Sequence, residues 1–192
     1  MAKDAKMNTE LLKGNLVRLG AFDPEIAADL FARWNADSEY QRLLDWEPAL
    51  RFSKKASREW LEKNMDKYFE HAFLIRTLED DRPIGEISLS VVCWNWGDAY
   101  VGIGLGERAD WGKGYGTDAM QIILRYAFME LDLHRVSLDV FEYNLRGIRS
   151  YEKCGFVVEG RERALLQRDG RRWDVIYMGI LKEDWLKQPH PA

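Results

Sequence analysis

One stretch, Trp111-Gly112-Lys113-Gly114-Tyr115-Gly116-Thr117, constrains the fold of this chain more than any other. Three glycines alternate with larger residues between an apolar run, Ala99 to Leu105, and a helical pattern, Asp118 to Leu131. A strand, a glycine-rich turn and a helix in that order leave backbone N–H groups free at a helix N-terminus. About half a positive charge and four unpaired donors gather there. Such a terminus suits a phosphate or pyrophosphate. Glycine lets the backbone turn tightly, with no Cβ between it and the anion.

Spacing narrows the type of loop. The Walker A pattern places four residues between its first glycine and a Gly-Lys-Ser/Thr run. Here five residues separate Gly106 from Gly112, and Gly114 follows Lys113. The dinucleotide fingerprint can be laid on Gly104, Gly106 and Ala109. The residues that follow, Asp110 to Gly114, do not read as the start of a helix.

The chain has 192 residues, enough for one domain with a substantial core. We expect that core over residues 14–184, with a leader at 1–13 and a loose tail at 187–192. Apolar residues make up 46% and charged residues 31%, with a net charge of −4, so no basic face for nucleic acid is expected. No run is apolar and long enough to span a membrane, and no signal core opens the chain. Cys93 and Cys154 show neither metal spacing nor a disulfide framework and read as reduced thiols of a cytoplasmic protein. His71, His134 and His190 lack metal-ligand spacing, so no metal is expected.

The apolar periodicity gives an element order. Leu16 to Leu19 alternates as a first strand. Asp23-Pro24-Glu25 starts a helix with Ile26, Ala27, Leu30, Phe31 and Trp34 on one face. Ser53 can cap a second helix bearing Ala56, Trp60, Leu61, Met65, Tyr68 and Phe69. The intervening segment reads as a long loop, a frequent place for binding function. Strands at Phe73 to Leu78, Ile84 to Val91 and Ala99 to Leu105 form an antiparallel meander, because their connections are too short for crossovers. After the glycine-rich loop and its helix, Arg135 to Val140 is a strand reached by a crossover. Asn144 precedes a helix that Gly155 stops, and two last strands flank an Asp169-Gly170 hairpin.

With these elements in place, Trp111 to Ala119 resembles the acyl-CoA pyrophosphate loop of the GNAT N-acetyltransferase superfamily. Asn144 and Tyr151-Glu152-Lys153-Cys154-Gly155-Phe156 are similar to its second cofactor motif. The ending, Gly170 to Asp174 through Met178 to Leu181, resembles the RimJ/RimL-like branch, the ribosomal-protein N-acetyltransferase type. The resemblance implies an α/β (α+β) fold with a mixed, mostly antiparallel, splayed sheet flanked by helices. It implies acetyl transfer from acetyl-CoA to a primary amine, with the cofactor arm along Ile103, Gly104, Leu105 and Gly106. Gly112, Lys113, Gly114, Tyr115, Gly116 and Thr117 would hold the pyrophosphate, Asn144 would contact the arm, and Tyr151 would sit near the sulfur. Trp111 stands where the family usually has Gln or Arg, so one side-chain donor is missing. On that reading Trp111→Arg leaves binding intact or strengthens it.

An amine must lose a proton before it attacks. Tyr151 is the expected acid for the departing thiolate, and a backbone N–H at Leu105 or Gly106 the expected oxyanion donor. Glu86, on the Ile84/Glu86/Ser88/Ser90 face, is the first choice of base, and Asp98 the second. Cys154 has no nearby histidine to activate it and reads as a small buried residue. Trp46, Glu47 and Trp96 are expected walls of the acceptor site, where an acid beside tryptophans suits a cation. The acceptor could be a protein N-terminus, a polyamine or another small amine. Two other readings stay open: a non-catalytic acyl-CoA sensor on the same fold, and a nucleotide binder using the Gly104/Gly106 fingerprint. Pairing of the last strands across a homodimer is a further expectation.

Overall fold

A computed structural model describes residues 10–68 and 71–188, with the side chains of 65–68 set apart. Residues 1–9 of the expected leader at 1–13, the side chains of Met65 and Tyr68, all of Phe69, and residues 189–192 of the expected tail at 187–192 lie outside the described residues.

Seven strands form one mixed sheet: β1 (Val17–Ala21), β2 (His71–Thr77), β3 (Pro83–Cys93), β4 (Asp98–Leu105), β5 (Arg135–Phe141), β6 (Val157–Arg168) and β7 (Arg171–Leu181). Their spatial order is β1-β2-β3-β4-β5-β7-β6. Every neighbouring pair is antiparallel except β4–β5. Those two strands pair only from Asp98 to Tyr100, against Arg135 to Ser137. On its other side β4 stays paired with β3 as far as Leu105. The second half of β4 therefore leaves β5, and the sheet opens into a V. This is the mixed, mostly antiparallel, splayed sheet expected of the sequence.

Among the described residues six helices flank the sheet: α1 (Pro24–Trp34), α2 (Ser38–Leu44), α3 (Lys54–Tyr68), α4 (Tyr115–Arg125), α5 (Leu145–Lys153) and α6 (Lys182–Leu186). Asp23 caps α1 by accepting from the Glu25 and Ile26 N–H groups, and Ser53 Oγ accepts from Ala56 N at 3.1 Å at the start of α3. The segment expected as one long loop contains α2, because Asp37 Oδ1 accepts from Glu39 N at 2.9 Å and caps a further helix. Helix α4 starts at Tyr115, earlier than the apolar pattern indicated. Gly114 supplies a left-handed residue, φ 90°, that turns the chain directly into it. Its last turn, Tyr126–Glu130, widens to π-helical geometry before β5.

Met120, Ile122, Ile123 and Leu124 of α4 are at most 1% exposed and pack on the sheet with Ile87, Leu89 and Val136. Burying each such side chain stabilises the fold by about 1.5–3 kcal/mol. The Asp118 carboxylate accepts from the backbone N–H groups of Asn15, Leu16 and Val17 at 2.8–3.1 Å, which fastens the entry to β1 onto the first turn of α4. Gly14 leaves room for this, since a Cβ there would lie 2.4 Å from Asp118 Oδ2. Among the described residues no helix is long and apolar enough to cross a membrane.

Candidate active site

The glycine-rich loop sits at the mouth of the V. Gly112 and Gly114 have φ of 75° and 90°, and nothing lies within 4 Å of where a Gly112 Cβ would stand. No side chain caps α4, so its first-turn N–H groups are left for a ligand. The short 3₁₀ turn before the loop, Arg108–Asp110, is held by a two-pronged ion pair. Arg82 meets the buried Asp110 carboxylate at 2.9 and 3.0 Å. That 3₁₀ turn follows Gly106 where a dinucleotide fingerprint would open a long helix, so the fingerprint reading lacks its structural context.

Trp111 is a brace. Its indole N–H donates to the Leu105 carbonyl at 2.7 Å, and the Arg146 guanidinium lies 4.0 Å from its ring centroid. The Trp111 ring thus has a cation from α5 stacked on it beside the loop.

A cavity of about 480 Å³ fills the opening. Ile103, Gly104, Leu105, Trp111, Gly112, Gly114, Tyr115, Gly116, Thr117, Asn144 and Tyr151 all line it. Gly106 and Lys113 do not. Lys113 is exposed, and Gly106 backs onto Trp34, whose ring a Cβ would meet at 2.1 Å. The Gly106 N–H is also taken, since it donates to the Ile84 carbonyl at 3.0 Å. Of the two expected oxyanion donors, this leaves the Leu105 N–H. Along an antiparallel ladder successive residues point their polar groups to opposite sides. With Gly106 turned to β3, Leu105 and Ile103 present theirs to the opening.

Asn144 Oδ1 accepts from Gly147 N at 3.0 Å and caps α5 while lining the cavity. Helix α5 places Tyr151 in the same wall, against Phe156. Burial, with Asp139 adding to it, pushes the Tyr151 hydroxyl up to about 12, so it keeps its proton at neutral pH. Arg146, Arg149 and Lys153 also line the cavity, and sequence reasoning missed them. Their spacing from Asn144 along one helix was the available signal. Ser150 and Thr117 share a hydroxyl hydrogen bond of 2.8 Å that joins α5 to α4. Cys154 is fully buried, and that burial raises its thiol to about 12, in keeping with its reading as a core residue.

A second cavity, about 430 Å³, lies beyond Gly104. Its described walls come from α1, α2, the 45–52 segment, α3 and β3. Tyr40 and Leu44 line both cavities. A Cβ on Gly104 would meet Tyr40 Oη at 2.9 Å and Glu86 Oε1 at 3.3 Å. Gly104 is therefore where the cavities come together, with the Glu86 carboxyl beside it. Glu86 is 8% exposed, and desolvation raises it from 4.5 to about 8.

Of the expected acceptor residues, Glu47 lines this cavity, whereas Trp46 and Trp96 do not. The Trp46 ring packs edge-on against Phe141 at 5.5 Å, and Trp96 is 69% exposed in the β3–β4 turn. Asp98 stands at the far end of β4 and pairs with Arg135 at 3.7 Å, which separates it from the junction. The 45–47 segment is held from across the molecule: Arg168 of β6 donates to the carbonyls of Asp45, Trp46 and Glu47 at 3.2–3.4 Å. Tyr40 went unrecognised in the sequence because its helix was read as loop.

The larger cavity suits a ligand with a polyanionic head and a slender arm. Open helix N–H groups and three cations stand at one end, and a strand edge with unpaired backbone groups leads inward. Among the described residues no three His, Cys, Asp or Glu side chains are grouped to hold a metal ion.

Comparison with known proteins agrees with this geometry. Residues 17–157 match the family described as "Acetyltransferase (GNAT) domain". A Bacillus subtilis (strain 168) protein, YjcK, provisionally named an N-acetyltransferase, is 36% identical over 124 residues, 64% of this chain and 68% of that protein. YdaF of the same organism, provisionally named a ribosomal N-acetyltransferase, is 36% identical over 74 residues, 38% of this chain and 40% of its own length, consistent with the RimJ/RimL-like branch. The spermidine N(1)-acetyltransferase of Vibrio cholerae serotype O1 is 36% identical over 77 residues, 40% of this chain and 44% of that protein. A crystal structure of spermidine N-acetyltransferase from Vibrio cholerae, in complex with CoA and spermine, shares the fold. Its TM-score is 0.78 at 24% identity, over 89% of this chain and 98% of that one. A splayed sheet, a glycine-capped α4 at its mouth and a family match over most of the chain lead to one assignment: this chain belongs to the GNAT acetyltransferases and uses acetyl-CoA as its acetyl donor.

Proposed function

We propose that the enzyme acetylates a primary amine by direct attack within a ternary complex, with acetyl-CoA in the larger cavity and the amine in the smaller. The observation that carries this reading is the junction at Gly104, where a buried carboxyl and two shared wall residues stand between the cavities. Acetyl-CoA supplies an acetyl group activated as a thioester. The N–H groups from Gly112 to Thr117 hold its pyrophosphate, and Arg146, Arg149 and Lys153 balance the negative charge. Ile103 and Leu105 offer backbone groups to the arm.

Glu86 takes the proton of the incoming ammonium. A carboxylate raised to about 8 is a better match for an amine than an ordinary one. The amine nitrogen then bonds to the acetyl carbon as the carbon–sulfur bond breaks. Leu105 N–H polarises the carbonyl during attack. Tyr151 gives its hydroxyl proton to the departing sulfur, the acylated nitrogen passes its second proton through water to the Tyr151 phenolate, and solvent removes the proton held by Glu86. Alignment of amine and thioester is worth about 7–11 kcal/mol by itself. The relatives named for spermidine and for ribosomal acetylation support an amine acceptor.

The test is CoA release across N-terminal peptides, polyamines, aminoglycosides and simple amines. Release with at least one class supports the proposal. Tight acetyl-CoA binding with no release from any amine would instead make the chain a sensor.

A further inference from the structure

Two polar groups stand at the junction of the cavities without a partner in the fold. Among the described residues neither the Tyr40 hydroxyl nor the Glu86 carboxyl makes a hydrogen bond, although the two residues are only 4% and 8% exposed. Protein does not seal either group, since Tyr40 lines both cavities and Glu86 lines the smaller. Ser57 in the same wall is different: its Oγ has no partner but is covered by protein. Buried polar groups cost free energy unless they are paired. The Tyr40 ring packs tilted against Trp34, with centroids 6.1 Å apart, and nothing in that contact needs an oxygen. The oxygen is left for a ligand group.

The place it faces is the bare α-carbon of Gly104. The point where a Cβ would stand there is 2.9 Å from Tyr40 Oη, 3.3 Å from Glu86 Oε1 and 3.4 Å from Leu44 Cδ1. Glu86 pairs with Gly104 across β3 and β4, so its carboxyl rises beside the same spot. Two oxygens and a methyl group thus close on one small space, where a single atom with hydrogens to give can reach both oxygens. Helix α2 is tied at both ends. At its start Arg108 donates to the two Asp37 carboxylate oxygens at 2.5 and 2.6 Å. At its end Arg168 donates to the Arg42 carbonyl at 2.5 Å and to the Asp45 carbonyl at 3.2 Å. A hydroxyl on so fixed a helix meets its ligand without first having to be ordered.

We propose that Tyr40 is a further catalytic residue: its hydroxyl oxygen accepts a hydrogen bond from the reacting nitrogen of the amine while Glu86 takes a proton from that same nitrogen. The proposal rests on the acceptor assignment made above, and it concerns the nitrogen and not the body attached to it. An ammonium has three N–H groups to give. One proton passes to Glu86, and a second N–H is held on Tyr40 Oη. The nitrogen then has its lone pair confined in direction, and alignment with the acetyl carbon follows from that confinement. Tyr40 itself exchanges no proton. Burial, with the Glu86 charge adding to it, raises its hydroxyl well above the ordinary tyrosine range, so it stays neutral throughout. No bond is made or broken at Tyr40, and the proton transfers of the reaction are unchanged.

The experiment compares wild type, Tyr40→Phe, Glu86→Gln and the double variant at saturating acetyl-CoA, using those peptides, polyamines, aminoglycosides and simple amines that the wild type turns over. Tyr40→Phe should lower kcat/KM about tenfold, as expected for one hydrogen bond to a charged group. The factor should be the same for each amine whatever its body, and acetyl-CoA affinity should stay within about twofold because the ring is kept. In the Glu86→Gln background the same change should cost less than about threefold, since two groups that hold one nitrogen are coupled. An equal loss in both backgrounds, a loss that varies with the body of the amine, a loss matched by weaker acetyl-CoA binding, or no loss at all overturns the proposal. Each of these leaves the amine-acetyltransferase reading standing. Absence of turnover with every amine overturns both.

Discussion

The two cavities are built by opposite means. The larger is made chiefly of backbone: glycines at positive φ, an uncapped helix and a strand edge left open by the splay. The smaller is made of side chains from α1, α2, α3 and β3, with a buried carboxyl and a buried hydroxyl in an apolar shell. Backbone recognition depends on a few small residues at fixed spacing and tolerates little change there. Side-chain recognition can be retuned one residue at a time. The first is suited to a donor that does not vary, and the second to an acceptor that does.

The sharpest way to break this contrast is at the loop. Gly114→Glu forces an L side chain into φ 90° and puts a carboxylate at the anion site, so acetyl-CoA affinity should fall by about 10³-fold or be lost in calorimetric titration. Next in size, Tyr151→Phe should lower kcat by about 10²-fold while acetyl-CoA affinity changes little, because only proton donation is removed.

Glu86→Gln tests the smaller cavity, with an expected loss of about 30-fold in kcat/KM for the best amine at pH 8. The wild-type profile should rise through an apparent pKa near 8 as Glu86 ionises, and this limb should vanish in the variant. Stability gives an independent reading. A carboxyl at about 8 when folded and near 4.5 when unfolded binds more proton in the native state between those values. Its contribution is therefore full below about pH 4.5, declines as pH rises toward 8 and is flat above. The Tm of Glu86→Gln should lack that decline.

Smaller effects sharpen the comparison. Trp111→Phe keeps a ring under Arg146 and loses the bond to the Leu105 carbonyl, so acetyl-CoA affinity should drop about fivefold. Trp111→Arg loses both the bond and the stacking. We now expect it to weaken binding, against the reading from family pattern alone. Arg168→Ala frees the 45–47 segment and should raise the amine KM about threefold with kcat and acetyl-CoA affinity nearly unchanged.

Much of the larger cavity was legible because local rules create it. Glycine spacing, a following helix and the Asn144-to-Tyr151 interval are visible along the chain. Trp111 looked like a missing donor because its partners are far away: Arg146 is on another helix, and the Leu105 carbonyl faces it only once the loop has folded back. The Gly106 N–H looked available because nothing local says which side of β4 each residue shows. Trp46 and Trp96 were attractive as aromatic neighbours of an acid, but aromatic character does not tell which way a ring points. One packs on β5 and the other stands in solvent.

The sequence by itself determined the order of the strands and of the helices other than α2 and α6, the caps at Asp23, Ser53 and Asn144, and the glycine-rich loop, because each depends on residues within a few positions of one another. Only the tertiary structure decided that Glu86 loses its water, that Ser57 is left without a partner, and that Gly104 opens one cavity toward the other. Desolvation and cavity shape are sums over segments distant in sequence, and no local pattern carries them.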